Sequence, residues 1–275
     1  MSEKKDSMQN ILRKGAPDFH PDEVRSGEAL SNLMHKIGHE IGNPLTAIIA
    51  LATIMERFQG EQSPSDAPGS PPYQKINSYS TSIIDEAWRI SGLNEKVVLL
   101  LSTKPGNLGC CVITEVITKA AQKFKSRHKR KRIDVRLSPS PELSQPIVWA
   151  DFEQLLVLFT EAITNAHQSF AYRSDDAPPL PPVVDVAIDR VDGFVRTTFS
   201  NLIEKPLPFP PEAVFSPGIT ELGDRKHVGL GLTVGWTVVH RFNGQIYASE
   251  IDTPEGLRFS LEILLPESPS EEIGG

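Results

Sequence analysis

The stretch MHKIGHEIGNPLT, from Met34 to Thr46, narrows the possible folds of this chain furthest. His39 is followed at once by Glu40, one helical turn later by Asn43, and then by Pro44. Apolar residues at 30, 34, 37, 41, 45, 48, 52 and 55 trace one stripe of an amphipathic helix. His39 and Asn43 share a face of that helix. Pro44 has no N–H to offer the carbonyl of Glu40 and crowds it, so the helix is expected to bend just below the histidine. His39 is off the stripe and faces outward. There Glu40 can hold the imidazole as a nucleophile and accept its proton. Nothing of the kind surrounds His35, which reads as an ordinary surface or structural histidine.

A chain of 275 residues can build one good core plus a smaller module, or two domains. Its 28 basic and 35 acidic residues give a net charge of −7, which argues against a general nucleic-acid binder. The basic run KSRHKRKR, Lys125 to Arg132, has no interleaved aromatics and reads as a solvated surface. Cys110 and Cys111 are adjacent and alone, so they suggest neither a disulfide nor a metal quartet but a reduced, cytoplasmic chain. No apolar run is long enough to cross a bilayer, and MSEKKDSMQN has no signal-peptide core. A membrane partner is not expected.

Patterning divides the chain into a flexible leader over 1–25, a helical hairpin over 26–103, a mixed domain over 108–266 and a polar tail over 267–275. Helices are expected from Ser26 to Phe58 and from Tyr73 to Leu101, around the turn-forming GEQSPSDAPGSPP. Ile76, Ile83, Ala87, Ile90, Val97 and Leu101 form the apolar face of the second helix, interrupted by Ser80 and Asn94. Each helix offers one apolar face, which makes half a core. Doubling it gives a four-helix bundle and a homodimer; the alternative is packing against the rest of the chain. Beyond the hinge at Ser102 to Asn107, helices are expected at Val112–Phe124, Phe152–Phe170 and Gly229–Phe242. Strands are expected at Ile133–Leu137, Val183–Ile188, Phe194–Phe199, Gln245–Glu250 and Arg258–Leu264. Asp192-Gly193 turns one hairpin. The order predicts an α+β sandwich with its helices on one sheet face.

Two elements of this domain suit nucleotide chemistry. In LLVLFTEAITNAHQS, Glu161 and Asn165 lie one turn apart on one helix face, where carboxylate and amide oxygens can ligate Mg²⁺ and organise a triphosphate. In VGLGLTVG, Gly229 and Gly231 allow close backbone approach, and the helix that follows points free N–H groups at anionic phosphate. No GKS or GKT follows these glycines, so this is not a Walker loop.

Together these stretches resemble the two-component sensor histidine kinases. Met34 to Thr46 is similar to their H-box, Glu161 to Asn165 to the N-box, and Val228 to Gly235 to the second glycine box. Ala213 to Lys226, with Phe215-Ser216-Pro217, looks like the F-box and the lid over ATP, from which Arg225 and Lys226 could reach the phosphates. The resemblance implies a dimeric phosphoacceptor hairpin followed by an ATP-binding α/β sandwich of the histidine-kinase type, which it shares with a broader ATPase superfamily. It implies autophosphorylation of His39 from Mg–ATP with Glu40 assisting, and transfer to the aspartate of a response-regulator receiver domain. Asn43 falls where such kinases orient water for dephosphorylating that partner. With no membrane-spanning input expected, the signal would come from a soluble upstream sensor, from the short N-terminal segment or from parts beyond this chain. Asn165 falls on the metal-binding asparagine, and Glu161 falls where the related ATPases carry an acid.

There are departures. The family's adenine-recognising aspartate belongs to a D-x-G-x-G box, but this chain reads SNLIEKPLP, with Asn201 in the aspartate's place and neither glycine. Asn carries both an acceptor and a donor, so its NH₂ must find a partner of its own. His227 stands where the second box begins with glycine. The alternative reading is therefore a degenerate kinase that serves as a phosphotransfer or scaffold protein without ATP turnover.

Overall fold

The computed structural model describes residues 27–60, 71–102, 106–127, 132–141, 143, 145–171, 182–219 and 229–268. Of 27–36, 39, 40, 57–60, 71–75 and 171 it describes only the backbone. Two compact units are present, Gly27–Val98 and a second that takes in Leu99–Gly275.

The first unit consists of two long helices, α1 (Gly27–Gly60) and α2 (Pro71–Leu101), the last turn of α2 from Leu99 belonging to the second unit. α1 stays helical through Pro44, whose ring is buried. The expected stripe is only partly covered. Ile37 is buried and Ile41, Ile48 and Met55 are half-buried, but Leu45 is 47% exposed. On α2 the buried position is Leu93, while the neighbouring Asn94, expected to interrupt the stripe, points to solvent. Ser80, the other interruption, is half-buried and its hydroxyl donates to Met55 Sδ at 3.9 Å, joining the two helices.

The second unit begins with β1 (Leu108–Val112) and α3 (Ile113–Arg127), followed by β2 (Asp134–Pro139), β3 (Ile147–Asp151) and α4 (Phe152–Ala171). Next come β4 (Val183–Val191) and β5 (Phe194–Leu202), a 3-10 turn at Pro211–Phe215, α5 (Gly231–Arg241), β6 (Gln245–Thr253) and β7 (Gly256–Pro266). A five-stranded sheet runs in the order β2-β4-β5-β7-β6, and β1 pairs with β3 in a separate two-stranded sheet. Only β2 and β4 are parallel; the other pairs are antiparallel. The expected β4–β5 hairpin closes through Asp192 (φ 48°) and Gly193 (φ 82°), as a turn of the mirror-image type requires. β1 and β3 were not expected from the pattern. Val112 ends a strand instead of opening a helix, because its backbone pairs with Ile147 far along the chain.

Alternation along the strands splits the sheet into two faces. Val184, Val186 and Ile188 of β4, Val195 and Phe199 of β5, and Phe259, Leu261 and Ile263 of β7 are buried in one core with α3, α4 and α5. Phe159 of α4 is fully buried, with its ring 5.4 Å from that of Phe199. The other face is polar. Asp189, Arg196 and Glu262 form one cross-strand group on it, and Asp185, Arg258 and Glu255 form another. At one sheet edge the Leu207 N–H donates to Glu250 Oε1 at 2.6 Å, and the 3-10 turn packs along β6. The other edge strand, β2, carries exposed Asp134 and Arg136 and ends in Pro139.

Two outcomes follow. Phe159→Ala should cost ~3–5 kcal/mol in urea unfolding, because it empties a fully enclosed ring site. Cys111 is buried, and that desolvation, aided by the Asp151 carboxylate, pushes its thiol up to about 11. The unfolded thiol loses its proton near its ordinary value of 9.0, so the contribution of Cys111 to stability is complete below that pH and fades towards 11. At pH 8 a thiol reagent should modify exposed Cys110 quickly and Cys111 only after unfolding.

Candidate functional site

α4 starts cleanly because Asp151 caps it: Oδ1 accepts the Gln154 N–H at 2.9 Å, and Glu153 adds negative charge to the first turn. Leu155, Leu158, Phe159, Ala162, Ile163 and Ala166 turn into the core, which leaves Glu161 and Asn165 half-buried on one face. Thr160 and Thr164 donate back to the carbonyls of Leu156 and Thr160, so these hydroxyls stay within the helix.

α5 runs antiparallel to α4. The Gly235 Cα faces Leu158, which would lie 2.9 Å from any Cβ there, and Gly231 faces Glu161, whose Oε2 would lie 2.5 Å from one. The N-cap position of α5 is Leu230, whose side chain makes no cap hydrogen bond. The carboxylate of Glu161 therefore stands beside a helix start that has no capping side chain of its own. Such a start suits anionic ligands.

Gly229 is held at φ 64° by two close approaches. Its carbonyl accepts the Gly218 N–H at 3.3 Å, and its Cα is pressed against the Ile219 carbonyl, where no side chain fits. Gly218, within the stretch expected to form a lid, is thus tied to Gly229 just beyond it. Phe215 at the start of that segment is 1% exposed, so it serves as a core anchor and not as part of a moving cover. Arg225 and Lys226 lie outside the described residues.

Asn201 is 3% exposed near the end of β5 and pairs in register with Phe259. Its Nδ2 donates to the Leu202 carbonyl at 3.1 Å, which is the partner its NH₂ needed. The Ile203 N–H bonds to Leu257 O at 2.9 Å, extending the sheet where the expected glycines are missing. The residues of the phosphoacceptor stretch lie in the other unit. His39 and Glu40 are described only as helical backbone of α1, and Asn43 is an exposed residue one turn on.

The structure thus brings Glu161 and Gly231 together on the α4–α5 pair. Among the described residues no three His, Cys, Asp or Glu side chains converge as metal ligands, so a cation here would depend on the asparagine amide and on ligand oxygens. Two further polar residues were passed over in the sequence, Asp151 and Arg241. The capping signature Asp151-x-x-Gln154 ahead of an apolar helix was a signal for the first. Arg241 carried none.

The fold is that of solved histidine kinases. The histidine kinase AdeS of Acinetobacter baumannii matches with a TM-score of 0.55 at 14% identity, over 84% of this chain and 98% of its own. Full-length ShkA, solved in complex with AMPPNP, matches with a TM-score of 0.52 at 16% identity, over 80% of this chain and 46% of its own. In both, as here, helices precede a sheet-rich domain. No protein-family model matches the sequence, and no curated protein matches it. Among the described residues no helix is long and apolar enough to cross a membrane.

The two pocket glycines should respond differently. Gly229→Ala forces a side chain into the left-handed region against a backbone carbonyl and should cost ~1–2 kcal/mol or more in urea unfolding. Gly231→Ala meets only the mobile end of Glu161, so stability should change by less than ~0.5 kcal/mol while the carboxylate is displaced.

Proposed function

We propose that this chain is a cytoplasmic member of the two-component histidine kinases that phosphorylates His39 from Mg–ATP. The observation that carries this reading is the meeting of Glu161 with Gly231 at the start of α5, beside Gly229 in its left-handed conformation. It joins the two sequence boxes that resemble nucleotide-binding elements, and it does so in a fold shared with known kinases. Glu161 and Asn165 have the oxygen donors that Mg²⁺ takes, and when bound the ion neutralises phosphate charge. The first-turn N–H groups of α5 receive phosphate oxygens, Arg225 and Lys226 add positive charge, and the Asn201 amide offers an acceptor to the adenine amino group.

In the transfer itself, a ring nitrogen of His39 forms a bond to the γ-phosphorus as the bond to the ADP oxygen breaks, and Glu40 takes the ring proton. The phosphoryl group then passes to the aspartate of a response-regulator receiver domain. Asn43, exposed one turn from His39, would orient the water that hydrolyses the phosphoryl group from that partner's aspartate. The apolar side chains left in solvent on the hairpin, Leu45, Ile49, Ile84 and Trp88 among them, support a homodimer whose second copy completes a four-helix bundle.

Incubation with [γ-³²P]ATP and Mg²⁺ should leave an acid-labile phosphate on the protein. His39→Gln should abolish it, and Asn165→Ala should weaken nucleotide binding about tenfold or more. Wild-type protein that binds no nucleotide, yet accepts phosphate on His39 from a phosphorylated regulator, would instead be a phosphotransfer protein with a vestigial pocket. The buried Asn201, with its amide already tied to Leu202, favours that second reading most.

A further inference from the structure

Arg241 ends α5 at the opposite pole from Gly231 and performs a task that the proposed pocket does not use. Its Nη1 donates to Gln154 Oε1 at 2.5 Å, and its Nη2 donates to the carbonyls of Leu99 at 3.0 Å and Ser102 at 2.7 Å. The last carbonyls of a helix lack intrahelical partners, so the guanidinium caps the C-terminal end of α2 from outside, with charge of the favourable sign. Burial works against that charge and the Asp151 carboxylate supports it.

Asp151 completes the arrangement. While Oδ1 caps α4, Oδ2 accepts the Asn107 N–H at 2.5 Å, and Gly106, at φ 83°, passes so close to this carboxylate that only glycine fits. Leu99 and Ser102, at the start of the second unit, are thereby held by Arg241, and Gly106 and Asn107 by Asp151. One holding residue ends α5 and the other caps α4.

These two helices touch at three levels. Gln154 meets Arg241 at one end, Leu158 meets Gly235 in the middle, and Glu161 meets Gly231 at the other end. From Gly231 to Arg241 is about 15 Å of helix. The Glu161 carboxylate can yield, but Leu158 packs directly on the Gly235 backbone midway along the pair, so a shift of α5 against α4 at the Gly231 end is carried through that contact to the Arg241 end.

We propose that Arg241, with Gln154 and Asp151, is a positioning residue that locks the start of the second unit to the helix pair, and that filling the pocket with Mg–nucleotide and closing this lock stabilise each other. The coupling rests on the nucleotide reading above; the lock does not. Linkage requires the two effects to be equal. Whatever factor Mg–nucleotide adds to lock closure, loss of the lock must remove from nucleotide affinity.

The test is amide hydrogen exchange at Asn107 in the full chain, with and without saturating Mg–AMPPNP, alongside the calorimetric affinity for the same nucleotide. In wild type the Asn107 amide should be protected, and nucleotide should slow its exchange about fivefold or more. Arg241→Met should speed that exchange and weaken affinity by the same factor that nucleotide contributed to protection. Gln154→Ala should act in the same direction but more weakly, and provides a second variant if the first melts early. Unchanged Asn107 exchange in both variants would overturn the lock. Faster exchange with affinity unaltered would overturn the coupling. Wild-type protein that binds no AMPPNP would overturn the coupling together with the pocket reading, while the effect of Arg241→Met on Asn107 would still decide for or against the lock.

Discussion

The close antiparallel contact of α4 with α5 is what the second unit depends on. Two helices normally keep their axes 8–10 Å apart, at a distance set by the side chains between them. Gly231 and Gly235 remove those side chains along one line of α5, so that Leu158 and the carboxylate of Glu161 rest on backbone. The approach aligns the start of one helix with a carboxylate on the middle of the other. It is a packing solution first, and its chemical use follows from which atoms it leaves at the surface.

The sheet beneath gives this pair a flat support whose two faces differ in kind. Its inner face is apolar apart from a few polar groups such as Thr197 and Asn201, and its outer face alternates acids with arginines. Ion pairs of this half-exposed sort add little stability each, but they keep a broad strand surface hydrated. Asn201 shows the cost of departing from the expected box. As a buried amide it must satisfy its donor, and it does so on its own strand through the Leu202 carbonyl.

Legibility from sequence followed the range of the interaction. The α4 period, the Asp192-Gly193 turn and the closing β6–β7 hairpin all depend on neighbours a few residues away, and each was expected with nearly its observed bounds. β1 and β3 are short strands that exist because each pairs with the other across α3 and β2, a relation that no local pattern encodes. The resemblance of Phe215-Ser216-Pro217 to an F-box assigns Phe215 to a lid, yet its ring lies in the core. Glu161, Asn165 and the glycines were legible as a motif. Arg241 was not, because a basic residue in the last turn of a helix is ordinary and its partners lie distant in the chain.

The two blunted margins of the five-stranded sheet bear on how this molecule associates. On the β6 side a glutamate has already taken a backbone N–H of the neighbouring segment, and on the β2 side charges and a closing proline leave an irregular ladder. Strand-by-strand growth into filaments, the usual hazard of open sheets, finds no template at either margin. The exposed apolar side chains of α1 and α2, Leu45, Ile49, Ile84 and Trp88 among them, lie on helices and not on these strand margins.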